Sequence, residues 1–243
     1  MGARNGDIFH FRHFSLIHKN SAMKVGTDGV LMGAWGYVGG CRVLDIGSGC
    51  GLIALMSAQR NQEAFVTGIE PDSDSFDESV INGRNSPFSG RTEFVNSELE
   101  EFASRCAVKY DAVISNPPFY NDGFLPVSEA KAKAKHSSFS LSYDSLLDGT
   151  SSLLSDNGIF SVIIPFSSAP DFEKKAFERG LFMIRKAEVI PVPGKSPSRA
   201  MCMFSFHRSE CLYESIIIEK YGRHHYSEEY LSLTKDFLLH VTP

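Results

Sequence analysis

Nine residues constrain this chain more than any other stretch: Val43-Leu44-Asp45-Ile46-Gly47-Ser48-Gly49-Cys50-Gly51. An apolar run carries one acid, three glycines follow at alternate positions, and Leu52-Ile53-Ala54-Leu55-Met56-Ser57-Ala58 comes next. The order reads as strand, tight turn, helix, and predicts a strand over 42–46 and a helix over 52–60. Glycine permits positive φ and lets a ligand approach the backbone without meeting a Cβ. No Lys or Arg stands between the loop and Arg60, so the Gly-x-x-x-x-Gly-Lys-Ser/Thr phosphate cradle is absent. Asp45 on the lip suits a ligand that carries an amine or a positive charge. With no ligand at all, the same glycines would serve close helix–strand packing.

A chain of 243 residues fits one α/β domain and can bury a sizeable core. Its hydrophobic fraction of 42% and charged fraction of 22% are those of an ordinary globule. A net charge of -5 argues against indiscriminate coating of nucleic acid, while leaving room for a local basic face. The cysteines (Cys41, Cys50, Cys106, Cys202, Cys211) form an odd set without Cys-x-x-Cys, which points to neither a disulfide framework nor a zinc site. The N-terminus carries no apolar signal region, and runs such as 160–166 are too short to span a bilayer. A reducing cytoplasm is the expectation, with no metal, membrane or obligate protein partner.

Around the glycine loop the chain alternates strand and helix signals. Ile8 to Phe14 alternates in part and predicts a strand or hairpin lying over the domain. In Lys24-Val25-Gly26-Thr27-Asp28-Gly29, Thr27 or Asp28 is placed to cap a helix starting near Gly29. That helix is either simply a capped helix or a cover over whatever the glycine loop holds. Residues 64–69 read as a second strand ending at Glu70, about 20 residues beyond the loop, where dinucleotide folds place the acid that accepts ribose hydroxyls. A polar helix over 72–86 and a strand over 92–96 follow, and Glu98 stands where it can approach an adenine amine.

A fourth strand over 110–115 runs straight into Asn116-Pro117-Pro118-Phe119. Two prolines stiffen the turn and remove neighbouring N–H groups. Asn116 and the Pro117 carbonyl can then both accept from one NH2 group, while Phe119 offers a stacking face. Read blandly, the stretch is a proline-rich turn after a buried strand. Lys131, Lys133 and Lys135 follow in a long polar connection that is either a solvated charge run or a phosphate-contacting lid. Beyond it come a helix over 143–155 stopped by Asn157-Gly158, a strand over 159–165, and a helix over 170–179 closed by Gly180. Two strand-like runs, 186–192 and 200–207, flank a turn whose tip carries Lys195 and Arg199. An amphipathic helix is expected over 227–240.

Together these segments resemble the bacterial tRNA (adenine-N6)-methyltransferases that modify the adenosine 3′ to the anticodon of a valine tRNA. The likeness runs nearly end to end. It includes Lys24 to Gly29, Gly33-Ala34-Trp35, the Asp45 to Gly51 loop, Leu55 to Arg60, Ser115 to Tyr120, Tyr226 to Tyr230, and Leu233-Thr234. Where that family often has tyrosine and aspartate, this chain has Phe119 and Glu98. The resemblance implies a Rossmann-like seven-stranded methyltransferase sheet with helices on both faces and an antiparallel C-terminal edge hairpin. It also implies a single class I domain over 1–243, with 1–35 as an N-terminal hairpin and cofactor-covering helix. S-adenosylmethionine is the implied cofactor and tRNA the implied partner. On this likeness Asp45, Gly47, Gly49 and Gly51 hold the methionine moiety, Glu70 the ribose and Glu98 the adenine end, under a cover containing Lys24, Thr27 and Gly29. Asn116, Pro117 and Phe119 clamp the target base, and the basic residues Lys131, Lys133, Lys135, Lys195 and Arg199 meet RNA. The Asn-Pro-Pro-aromatic motif equally serves guanine N2 of ribosomal RNA or a protein glutamine amide, and a non-catalytic cofactor- or RNA-binding relative is the reading from outside enzymes.

Overall fold

The computed structural model describes residues 6–21, 23–118 and 141–239. Eight strands form one sheet: β3 (Arg42–Ile46), β4 (Phe65–Ile69), β5 (Thr92–Val95), β6 (Tyr110–Ser115), β7 (Leu154–Pro165), β8 (Phe182–Ile190), β9 (Arg199–Ser205) and β10 (Leu212–Ile217). Their spatial order is β10-β8-β9-β7-β6-β3-β4-β5. Two short strands, β1 (Ile8–His10) and β2 (Ser15–Ile17), make a separate antiparallel hairpin.

The doubly wound order follows from the sequence pattern. Strands β3, β4, β5, β6 and β7 pair in parallel; β3, β4, β6 and the second half of β7 are buried from both sides and read as apolar runs rather than as strict alternations, while β5 at the edge is only half-buried. Alternate residues feed different layers. Val43, Ala112, Ile114 and Ile163 pack with α1 (Thr27–Trp35) and α2 (Leu52–Arg60). Leu44, Val113, Val162 and Ile164 face the opposite way, in the layer of α5 (Tyr143–Leu153) and α6 (Ala169–Glu178). Helices α3 (Ser73–Asn85), α4 (Leu99–Arg105) and α7 (Glu228–Thr234) complete the two layers.

The structure corrects several expectations in detail. The main sheet has eight strands rather than seven. The antiparallel hairpin β8–β9 is present, but β10 pairs in parallel with β8 and takes the edge. Asn157-Gly158 does not stop a helix, because β7 begins at Leu154 and runs through both residues. The C-terminal helix spans Glu228–Thr234 only. After it, Phe11 bridges to Leu238 and the Arg12 side chain donates to the Leu238 carbonyl, clasping the hairpin to the C-terminal segment. Helix α1 starts at Thr27 with Gly26 as its N-cap and no side-chain capping bond, so neither Thr27 nor Asp28 caps it. Helix α4, a short element without a strong apolar period, was not expected.

Candidate active site

Between β3 and β6 the strand order reverses, and the carboxyl ends of these strands diverge into a crevice of the kind where open α/β sheets bind ligands. A cavity of about 460 Å³ lies there. Its walls come from four places: residues 23–29, the turn 46–50 after β3, residues 69–72 after β4 with 97–99 after β5, and Asn116 to Pro118 after β6. The tertiary structure thus brings the glycine loop, Glu70, Glu98 and the Asn-Pro-Pro turn into one chamber.

The glycine loop has the form of a cradle. Gly47, Gly49 and Gly51 all take positive φ (72°, 54° and 88°). A Cβ added at Gly47 or Gly49 would meet no atom within 4 Å, so the space beside both backbones is open. Gly51 differs, since it caps α2 and its Cβ would press on the Phe94 ring at 3.0 Å, away from the cavity. Glu70 anchors the loop. Its Oε2 accepts from the Gly49 N–H at 2.8 Å and its Oε1 from the Asp72 N–H at 2.9 Å. Burial pushes the Glu70 carboxyl above its ordinary range, against the lowering effect of those N–H groups, and the charges of Asp72 and Glu98 push the same way. Each carboxylate oxygen keeps a further lone-pair direction for a ligand hydroxyl. Glu98 lines the same wall as the N-cap residue of α4, and partial burial followed by the Glu100 and Glu101 charges raises its pKa.

Asp45 is not on the lip. It is buried, its Oδ2 accepts from the Ala54 N–H at 2.9 Å, and it fastens the first turn of α2 to the end of β3. Its Oδ1 has no partner among the described residues. Desolvation lifts its pKa to about 8, opposed by the Ala54 N–H and aided by the Glu70 charge.

The covering segment is held from behind. Glu78 of α3 accepts from the Asn20 and Ser21 N–H groups and from the Ser21 hydroxyl, while Asn82 bonds both backbone groups of Ile17. The Lys24 ammonium donates to the carbonyls of His18 and Lys19, which leaves that residue lining the cavity with its charge already engaged. Thr27 and Gly29 line the chamber too. Gly29 is needed for close approach, since a Cβ there would come 2.8 Å from the Leu52 side chain and 3.8 Å from the Asn116 amide nitrogen. Glu78 and Asn82 gave no sequence signal beyond standing on a polar helix.

Asn116 emerges where Ser115 ties β6 to β3 through its hydroxyl, which donates to the Ile46 carbonyl at 2.9 Å. The Asn116 Nδ2 lies 3.8 Å from the Met23 sulfur, and Oδ1 has no partner among the described residues. Pro117 and Pro118 stand beside it in the wall. Phe119, Lys131, Lys133 and Lys135 lie outside the described residues. Lys195 is exposed on the β8–β9 turn, and Arg199 donates to the Asp28 carboxylate at 2.8 Å, joining β9 to the start of α1. Among the described residues no group of His, Cys, Asp and Glu is placed to hold a metal ion.

The methyltransferase small-domain family model matches residues 34–138. A tRNA1(Val) (adenine(37)-N6)-methyltransferase of Bacteroides fragilis is 40% identical over 234 residues, spanning 96% of this chain and 98% of its own. The enzyme of the same name from Trichodesmium erythraeum is 38% identical over 237 residues, covering 96% and 98%. This chain belongs to that family. As a tRNA1(Val) (adenine(37)-N6)-methyltransferase family member it shares the class I methyltransferase fold with solved structures of low identity. A predicted O-methyltransferase from Agrobacterium tumefaciens aligns with a TM-score of 0.67 at 17% identity, over 86% of this chain and 96% of that one. A ribosomal protein L11 methylase from Lactobacillus delbrueckii subsp. bulgaricus aligns at 0.54 and 15%, over 78% and 83%.

The residues present fit S-adenosylmethionine. The open space beside Gly47 and Gly49 suits an extended chain, Glu70 suits a diol, and the carboxylates of Glu70, Asp72 and Glu98 suit a cationic ligand.

Proposed function

We propose that the chain methylates the exocyclic N6 amine of an adenosine in tRNA, beside the anticodon, with S-adenosylmethionine as donor. The observation that carries this reading is the shared chamber, in which Asn116 and Pro117 face the same space as Gly47, Gly49 and Glu70. Bound there, the cofactor supplies an electrophilic methyl group on a cationic sulfur.

The protein's own contribution is binding and orientation. Glu70 takes the ribose and holds the loop, while the bare backbone of Gly47 and Gly49 admits the methionine arm. At the acceptor end, the Asn116 side-chain oxygen and the Pro117 carbonyl accept the two N–H groups of the amine. Rotation about the last side-chain torsion lets Asn116 present its oxygen to the chamber, since no strong bond holds its Nδ2. Two acceptors in fixed positions leave the nitrogen lone pair aimed at the donor, and positioning of this kind supplies much of a displacement's rate. Phe119 provides the stacking face, and the target base is swung out of its loop to reach the chamber. Lys131, Lys133, Lys135 and Lys195 contribute phosphate contacts, with Arg199 at their margin. The activity places the protein in the cytoplasm with its RNA; among the described residues no helix is long and apolar enough to cross a membrane.

The test is radiolabelled methyl transfer to bulk RNA and to protein extract, with nucleoside analysis of labelled RNA. Label in N6-methyladenosine of tRNA is the expected result. Label in N2-methylguanosine, label in protein glutamine, or no transfer would each overturn the proposal in favour of another amine or a binding role.

A further inference from the structure

The loop that follows β10 is a compact hairpin rich in cationic, imidazole and aromatic groups. Lys220, Tyr221, Arg223, His224 and His225 fall within six residues of a chain whose net charge is -5. Its fold is specified by its own bonds. Glu219 bridges to Tyr226, the Lys220 N–H donates to the His225 carbonyl at 3.0 Å, and the His225 N–H donates to that of Gly222 at 3.0 Å. His224 is the only non-glycine residue with positive φ among those described, at 67°. An L-residue keeps that conformation when its surroundings impose it, here through its N–H, which donates to the Glu219 carboxylate at 2.9 Å. Glu228 accepts from the Tyr221 hydroxyl at 3.2 Å and lies 3.5 Å from the Lys220 ammonium, and Glu229 stands beside Ser227 in the field of the same ammonium. Tyr221 remains 59% exposed, with the Lys220 ammonium 5.4 Å from the centre of its ring.

Topology puts this hairpin on the same edge of the sheet as the active site. Strands β10, β8, β7 and β6 all run in the same direction, so their carboxyl ends share one edge of the sheet. The Ile218 and Glu219 N–H groups donate to the carbonyls of Ile190 and Pro191, joining the hairpin to the turn that carries Lys195. Four strand steps separate β10 from β6 in the sheet. At ~4.8 Å per step that is roughly 19 Å across the sheet, and the hairpin stands further along the strand direction than Asn116, which is level with Glu214. The opposite half of the edge, around Glu70, Asp72 and Glu98, is acidic and repels phosphate.

We propose that the 219–226 hairpin, together with Lys195, docks the phosphate backbone of the acceptor RNA flanking the target nucleotide, with Tyr221 stacking on a base. The proposal rests on the reading of RNA as substrate, and names where that RNA lies. Cations arrayed along one rim bind a polyanion with strong salt dependence, and an exposed tyrosine adds sequence-tolerant stacking.

The experiment compares the full-length protein with the triple variant Lys220→Ala, Tyr221→Ala, Arg223→Ala and with Arg223→Glu alone. Binding of a synthetic anticodon stem-loop is followed by fluorescence anisotropy over a salt series, and methyl transfer is measured separately. The triple variant is expected to raise the RNA Kd and KM by about tenfold or more, and to flatten the log–log salt slope by about 0.7–0.9 per lost contact. Its kcat and cofactor Kd stay unchanged, and Arg223→Glu shows the same pattern. Wild-type Kd, KM and slope in both variants would overturn the dock while leaving the methyl-transfer reading intact. A lower kcat with unchanged KM would overturn it as well. Failure of the wild type to bind the stem-loop would overturn both.

Discussion

The two halves of the sheet's carboxyl edge differ in charge and in what they can accept. Around β3, β4 and β5 the edge is acidic and closely bonded: Glu70 ties the glycine loop to the start of α3, and Asp72 and Glu98 share its wall. From β6 to β10 the edge carries an Asn116 amide oxygen without a partner among the described residues, then Arg199, Lys195 and the hairpin that holds Lys220 and Arg223. A small cationic ligand suits the first half and a polyanion the second. One sheet can serve both because successive strand ends stand only ~4.8 Å apart while their loops diverge. Asp28 and Arg199 join the halves through one ion pair.

The largest effect is expected on the acceptor side of the boundary. Asn116→Ala should lower kcat by roughly 10²-fold or more, the order lost when one positioned polar group leaves an active site. Binding of cofactor and of RNA should change little, as isothermal calorimetry and anisotropy would record. Near-normal turnover would mean that Asn-Pro-Pro-Phe is only a turn.

Next in size is Glu70→Ala on the cofactor side. It removes charge-assisted hydrogen bonds worth about 1.5–3 kcal/mol each and frees the Gly49 N–H. S-adenosylmethionine affinity should fall at least tenfold by calorimetry, with RNA affinity unaltered. An equal loss of RNA affinity would erase the division between the halves.

Asp45 sharpens the comparison through pH. In the fold its carboxyl keeps its proton up to about 8, whereas its ordinary value is 3.8. Between these limits the folded state holds more protons than the unfolded one, so this group's contribution to stability is fully present below the window and is lost as pH rises through it. Asp45→Asn should therefore reduce the fall in Tm across that window in scanning calorimetry. An unchanged fall would show that other groups govern it.

The smallest effect belongs to the bridge. Asp28 and Arg199 are each about one-third exposed, at 30% and 32%, so solvent screens their attraction. A double-mutant cycle with Asp28→Ala and Arg199→Ala should give a coupling of about 0.2–1 kcal/mol in chemical denaturation. A larger value would make the pair a structural strut between the halves rather than a contact at their margin.

Much of this organisation was legible in the residues. The apolar runs at 42–46, 65–69 and 110–115 became parallel strands buried on both faces, because their patterns are local and strong. The turn at Gly47 and Gly49 declared itself because only glycine takes such φ values without penalty. Asn157-Gly158 misled, because a locally favoured stop gave way to strand pairing of β7 with β6 and β9. Asp45 misled in a different way. Its position beside the glycines was visible, but the direction of its side chain depends on where α2 offers a free N–H.

What the sequence determined by itself was the set of chemistries: a glycine cradle, an acid about 20 residues on, and a rigid Asn-Pro-Pro turn. Each is encoded by neighbouring residues whose backbone preferences act over a few bonds. Only the tertiary structure decided that the three share one chamber, that Glu78 and Asn82 hold the covering segment, and that residues 219–226 stand on the same edge of the sheet as Asn116. Those relations depend on strand order and on buried hydrogen bonds between distant segments. The free energy of burial that selects them is summed over the whole core, so no single stretch of sequence carries it.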